Sequence, residues 1–282
     1  KYLKEVEKAA LADEVPIIRR SMQSLISFLL EMKKPNAVLE IGTAVGFSSM
    51  FMSEYVPEDT QCIITIGGDG TLIQAARDLA GRNIPMLGIN RGHLGFLNQV
   101  DRTEDIDAAM DALVNERFRL EHRMMLRGTV FHEGKPVFQD IALNEIIATS
   151  AEHLRVLRYD LAVNDEYLNE YAADGVMVAT PTGSTAYNLS AGGPVMAPAG
   201  RMMAVTPVCS HTLNARSIVI SEEDRVKIGL LGKGLVTFDG DTSQKTGPGD
   251  YLIVERSHME TVMVKLKQIS FMQNLSNYLG NV

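Results

Sequence analysis

The chain has 282 residues, 45% of them hydrophobic and 22% charged, the proportions of one large or two ordinary folded domains with a real core rather than a disordered chain. The formal net charge is -8, and no Lys/Arg run is long enough to follow a phosphate backbone, which argues against nucleic acid as the main partner. The two cysteines, Cys62 and Cys209, lie far apart, no apolar run reaches membrane-spanning length, and the opening KYLKEVEKAA does not read as a signal peptide. Together these predict a cytoplasmic protein in a reducing compartment with no membrane partner.

From the N-terminus, Lys1–Met32 carries apolar residues at helical spacing, interrupted at Pro16. Ala37–Ile41 reads as a short buried strand, Gly46–Tyr55 as a helix, and Cys62–Ile66 as a second strand. Leu72–Ala80 then reads as a helix, Met86–Ile89 as a strand and Ile106–Asn115 as a helix. This alternation predicts an α/β domain whose parallel sheet meets ligands at the strand C-termini. After about Arg119 strands take over: Met125–His132, Pro136–Ile147, Arg155–Val163, Gly175–Ala179, Ile218–Ile220, Arg225–Gly229, Leu235–Phe238, Tyr251–Glu255 and Thr261–Leu266. Turn signals such as Glu133-Gly134 and Gly247-Pro248-Gly249 separate them, which predicts a β-rich second domain. Phe271–Leu279 returns to helix.

Three segments carry chemistry. In IITIGGDGTLI, residues 63–73, an apolar strand ends in glycines where a helix begins. Glycines let a backbone approach a phosphate closely, and a helix N-terminus offers free N–H groups. There is no Gly-Lys-Ser/Thr ending, so this is not a Walker A loop. Asp69 can take a proton from a substrate hydroxyl or help hold a metal, and it can equally do no more than cap the helix. In DGVMVATPTGSTAYNLSA, residues 174–191, a strand runs into Thr180-Pro181-Thr182-Gly183-Ser184-Thr185. Four hydroxyl residues around one Pro and one Gly exceed what a helix cap needs, and suit a polar or anionic ligand. Asn144-Glu145 interrupts the apolar run Ile141–Ile147. Burying this pair unpartnered costs a few kcal/mol, so it needs protein groups or ligand hydroxyls beside it.

In this order and spacing, the three motifs resemble the NAD kinase family. The likeness runs from about Pro57 to the C-terminus through GGDGTLIQAAR (67–77), GINRGHLGFL (88–97), the Asn144-Glu145 pair, DGVMVATPTGSTAYNLSAGGP (174–194), VTPVCSHTLNARSIVIS (205–221) and VTFDGD (236–241). GGDG also occurs in lipid kinases and phosphofructokinase relatives, but TPTGSTAY and the Asn-Glu pair point away from them. The resemblance implies an α/β, Rossmann-like nucleotide-binding domain over 1–118 and a β-rich, sandwich-like NAD-binding domain over 119–266. It further implies a C-terminal helix within 267–282 that returns to the first domain. It implies transfer of the γ-phosphoryl group of ATP to the 2′-hydroxyl of the adenosine ribose of NAD, with Asp69 as general base. Gly67, Gly68, Gly70 and Thr71 would hold donor phosphates, with Gly70 also near NAD. Asn144 and Glu145 would bind NAD. Asp174, Thr185, Ala186, Tyr187 and Ser190 would line its pocket, Phe96 would pack near adenine, and Arg155 would supply a basic contact. Asp241 is a weaker carry-over. Ala172 stands where some members carry a basic side chain. Mg²⁺ would accompany ATP, with no direct protein cluster for the metal, and the assembly would be a homodimer or homotetramer. With Asp69 as the base, His93, His153 and His211 read as structural or hydrogen-bonding residues.

Residues 1–55 carry a second resemblance. EVPIIRRSMQSLISFLLEMKKPNAVLEIGTAVGFSSMFMSEY is similar to the start of SAM-dependent O-methyltransferases, with Glu40–Gly46 in the place of their methionine-binding loop. The expectation is a chimera joined near Tyr55–Pro57, in which a borrowed strand-helix unit substitutes for the kinase's first elements. Two alternatives follow from it: a catalytically impaired NAD(P)-binding protein, or a SAM-dependent methyltransferase.

Overall fold

The computed structural model describes residues 39–41 (backbone), 60–90, 95–100, 102–152, 156–211, 215–266 and 271–280. The helices expected over Lys1–Met32 and Gly46–Tyr55, and the loop from Gly42 to Gly46, lie outside the described residues, as do His93, His153 and Arg155. The chain divides into two compact units, Lys1–His122 with Thr261–Val282, and Arg123–Glu260.

The first unit is α/β. Strands β1 (Leu39–Ile41), β2 (Ile63–Ile66) and β3 (Met86–Ile89) pair in parallel, Leu39 with Ile64 and Ile64 with Leu87. The strand expected at Ala37–Ile41 therefore joins the sheet beside β2. Helix α1 (Asp69–Asp78) follows β2 and buries Leu72, Ala75, Ala76 and Arg77. Helix α2 (Ile106–Val114) sets Ala109 against Ile89 and Val100, with Ile64, Ile66 and Leu266 around them. Strands of Ile, Met and Leu covered by helices are what a parallel sheet requires, because helical crossovers cover its faces.

The second unit is a β-sandwich. One sheet joins β4 (Arg119–His132), β5 (Lys135–Ala142), β7 (Leu157–Val163), β8 (Glu166–Ala173), β12 (Val226–Leu230) and β15 (Tyr251–Lys265). The other runs β11 (Ile218–Ser221), β10 (Met202–Val208), β9 (Gly175–Ala179), β6 (Glu145–Ser150), β13 (Gly234–Phe238), β14 (Thr242–Thr246), all antiparallel. Alternate residues of both sheets meet in one core, including Tyr159, Leu161, Ile228 and Val254 from the first and Ile146, Val178, Met203 and Phe238 from the second. Three tight hairpin turns, at Glu133-Gly134, Asn164-Asp165 and Asp239-Gly240, hold both central residues at positive φ, the twist that antiparallel hairpins prefer. β15 ends in the first unit, where Met263 pairs in parallel with Met86, and helix α4 (Phe271–Gly280) follows there, after the short α3 (Tyr187–Ser190) of the second unit. Among the described residues no helix is long and apolar enough to cross a membrane.

Several strand boundaries differ from expectation. The run Pro136–Ile147 is two strands, broken at Leu143-Asn144, because this corner is held by side-chain bonds rather than by the ladder. Tyr251–Glu255 and Thr261–Leu266 are one strand of 15 residues, β15. β8, β10 and β14 carried no clear strand signal. β8 and β14 are largely polar and exposed. β10 contains Pro207, tolerated because β11 pairs only with Met202–Val205 and ends before it.

Candidate active site

In the first unit the site is built on the turn from β2 into α1. Gly67 closes the strand by donating to the Ile89 carbonyl at 3.0 Å, and Gly68 precedes the helix in an extended conformation with no side-chain cap. Asp69 is the first helical residue, yet its carboxylate does not cap its own helix. Oδ2 accepts the Phe96 N–H at 2.8 Å, Oδ1 accepts the Asn98 amide at 2.8 Å, and the Leu97 N–H lies 3.4 Å from both oxygens. The capping alternative for Asp69 is thus replaced by a tertiary one. Gly95 is part of this cradle: a Cβ there would sit 2.3 Å from Asp69 Oδ1. Gly68 and Gly70 are exposed, and a Cβ at either would meet nothing within 4 Å. The backbone beside Asp69 is therefore open to a bulky anion. Asp69 and Phe96 are brought together as a hydrogen-bonded pair, a relation the sequence did not indicate, and Asn98 and Gly95 are site residues it missed.

In the second unit the Asn-Glu pair, the Thr180–Thr185 turn and the β13–β14 hairpin converge. Thr180 donates its N–H to the Asn144 carbonyl at 2.8 Å and its hydroxyl to the Leu143 carbonyl at 2.6 Å. The same hydroxyl accepts the Gly183 N–H at 3.0 Å. Gly183 must be glycine, since a Cβ would stand 2.2 Å from the Asn144 carbonyl oxygen. Ser184 donates to the Pro181 carbonyl at 2.7 Å and accepts the Met196 N–H at 2.9 Å, which ties the turn to the segment after α3. Much of the hydroxyl excess in TPTGST is thus structural. Thr182 accepts from the buried Arg123 guanidinium at 3.2 Å, a cation no motif had flagged.

Asn144 and Glu145 are each 8% exposed, and Asn144 Oδ1 and Glu145 Oε2 are buried without a hydrogen-bond partner. Burial, and next the charge of Asp239, push the Glu145 carboxyl up to about 8, so it is largely protonated at neutral pH and able to donate. Orphaned buried polar atoms cost on the order of 1–3 kcal/mol each; two of them on consecutive residues suit a ligand that brings hydrogen-bonding groups to this corner. Thr185 and Ala186 are half-buried at the end of the turn, and Tyr187 and Ser190 are exposed on α3. Asp174 is not brought to this cluster. It precedes β9, while Thr180 follows that strand, six residues away or roughly 20 Å at strand rise. Asp241 ends the β13–β14 turn, its N–H donating to the Phe238 carbonyl at 3.0 Å. It is Asp239, two residues earlier, that touches the Asn-Glu corner. Its signal in the sequence was an Asp-Gly hairpin turn, which reads as turn chemistry and hides the second role.

His211 is exposed, with its N–H on the Ala172 carbonyl at 2.9 Å. Burial pushes the Cys62 thiol up to about 11, which makes it a poor nucleophile. Among the described residues no group of three or more His, Cys, Asp or Glu side chains could hold a metal.

Comparison with known proteins gives the same picture from outside. The family model of the ATP-NAD kinase N-terminal domain matches residues 10–118, and that of the C-terminal domain matches residues 143–266. The NAD kinase of Agathobacter rectalis is 40% identical over 255 residues, 85% of this chain and 89% of its own length. That of Moorella thermoacetica is 37% identical over 265 residues, 92% of this chain and 84% of its own length. Among solved structures, yeast NADH kinase complexed with NADH has a TM-score of 0.73 at 25% identity, covering 79% of this chain and 69% of its own. An NAD kinase from Archaeoglobus fulgidus in complex with ATP shares the fold, with a TM-score of 0.66 at 24% identity, over 85% of this chain and 94% of its own. The N-terminal match begins at residue 10 and runs through the join expected near Tyr55–Pro57. It gives no support to a chimera or to a methyltransferase origin for residues 1–55. On both domain matches and on these relatives, the chain belongs to the NAD kinase family.

Proposed function

We propose that this chain transfers the γ-phosphoryl group of ATP to the 2′-hydroxyl of the adenosine ribose of NAD, giving NADP and ADP. The observation that carries the reading is the Asp69 carboxylate, placed at the end of a parallel strand beside open glycine backbone and fixed by Phe96, Leu97 and Asn98. Phosphoryl transfer asks a protein mainly for position and charge neutralisation. Asp69 accepts the hydroxyl proton as the ribose oxygen attacks the γ-phosphorus and the bond to the ADP oxygen breaks. Gly67, Gly68, Gly70 and Thr71 receive the donor phosphates at the start of α1. Asn144 and Glu145 satisfy their orphaned atoms on NAD, with Thr185, Ala186, Tyr187, Ser190 and Phe96 around it. Arg155, Asp174 and Asp241 are further contacts in this reading. The described side chains form no metal cage, so Mg²⁺ is written as part of the donor, bound to its phosphates. A homodimer or homotetramer in the cytosol belongs to the same proposal.

The test is NADP formation from NAD, ATP and Mg²⁺ by the wild-type chain and by Asp69→Asn. Loss of a positioned general base costs roughly 10²–10⁴-fold in kcat, while NAD binding by calorimetry stays within a few-fold. Near-normal turnover in the variant would sink the base assignment. NAD binding without turnover in the wild type would favour a binding-only protein.

A further inference from the structure

Asp239 has no substrate contact in the proposed reaction, yet its carboxylate holds three backbone N–H groups of the Asn-Glu corner. It takes the first central position of the β13–β14 turn at φ 49°, followed by Gly240 at 73°. From there its Oδ2 accepts the Leu143 N–H at 2.7 Å, and its Oδ1 accepts those of Asn144 at 2.8 Å and Glu145 at 3.0 Å. Its own N–H returns to the Glu145 carbonyl at 3.0 Å. Three consecutive backbone N–H groups converge on one carboxylate, the concave arrangement that backbone uses to bind an anion. Here the anion is supplied by the chain itself. The β6–β13 ladder ends at the pair Ile146 and Phe238, so Leu143 and Asn144 have left it, and the carboxylate takes over where the ladder stops.

The side chains of this corner have no comparable anchor. Asn144 Oδ1 and Glu145 Oε2 are buried and unpartnered, so no hydrogen bond to these atoms orients the groups. Their direction follows from the backbone that Asp239 holds. We infer that Asp239 is the positioning residue of the dinucleotide subsite: it fixes the backbone from which Asn144 and Glu145 meet NAD, and so sets NAD affinity without touching NAD. This rests on the reading of Asn144 and Glu145 as NAD contacts. A second effect runs the same way: after burial, the charge of Asp239 is what favours the protonated Glu145 carboxyl, a donor for an acceptor on the ligand.

The experiment compares the full chain with Asp239→Asn, Asn144→Ala with Glu145→Gln, and the triple variant, by NAD titration, steady-state kinetics and thermal melting. Asp239→Asn puts an amide where three N–H donors need an acceptor. The expected result is an NAD dissociation constant and KM raised at least tenfold, with the KM for ATP within twofold. In the triple variant, loss of Asp239 adds nothing to the weakening caused by the Asn144/Glu145 changes, as coupled residues require. Asp239→Glu keeps the charge but misplaces it; it gives a smaller rise in KM for NAD and stands in if the Asn variant does not fold. Normal NAD affinity in both Asp239 variants, with or without a lower melting temperature, overturns the proposal, as does strict additivity in the triple variant. Unchanged NAD binding after the Asn144/Glu145 substitutions would instead overturn the reading beneath it.

Discussion

Beside its proposed contact with NAD, Glu145 carries a stability cost. Its carboxyl titrates near 4.5 when unfolded and is pushed up to about 8 in the fold, by burial first and Asp239 second. The folded chain therefore holds a proton that the unfolded chain gives up. The stability this group contributes is fully present below about 4.5 and is lost as pH rises to about 8, above which the loss is constant. Glu145→Gln removes that dependence. Melting curves between pH 5 and 9 should show the variant close to wild type at the acid end and more stable than wild type at the alkaline end, by a few kcal/mol at most. A constant difference across the range would mean that Glu145 ionises normally. The position of this carboxylate in an apolar run was readable from residues 141–147. Its raised pKa was not, because that depends first on how deeply the fold buries the group and next on Asp239, ninety-four residues away in sequence.

At the scale of elements, the turn between β9 and α3 is built on backbone contact. Gly183 lies against the Asn144 carbonyl so closely that a Cβ would stand 2.2 Å from its oxygen and 2.5 Å from its carbon. Neither atom is the end of a flexible side chain, so the turn and the corner would have to separate. Gly183→Ala should cost on the order of 1–3 kcal/mol in chemical denaturation, as overpacking of a tight interior does. It should also weaken NAD binding measured by titration. Unchanged stability would mean that the turn moves without resistance. The glycine was legible in TPTGSTAY as a turn residue. What it abuts was not, since Asn144 reaches it only through the pairing of β6 with β9. The same limit explains β14 and β8, polar strands that exist because neighbours pair with them.

At the scale of the whole molecule, the question is what residues 1–55 do. β1 lies parallel to β2, the strand that carries the Gly67–Thr71 turn, and the family match runs through the expected join. Both favour a sheet that serves one nucleotide chemistry. Ligand-induced melting shifts test this directly. NAD and NADP should raise the melting temperature by an amount set by their concentration over Kd, and SAM should not. A SAM-dependent shift would restore the methyltransferase reading of Glu40–Gly46.

The sequence alone determined the α/β and β-rich division, the strand-turn-helix around Asp69, and the family resemblance from Pro57 onward, because hydrophobic period, glycines and hydroxyl clusters are local signals. It could not say that Asp69 is held by Phe96, Leu97 and Asn98, or that Asp239 holds the Asn-Glu corner. Those are choices among acceptors for buried N–H groups, and the acceptor is decided by which strand ends the fold brings together. Tertiary structure alone makes that choice, since an unpaired buried N–H costs too much for it to be left open.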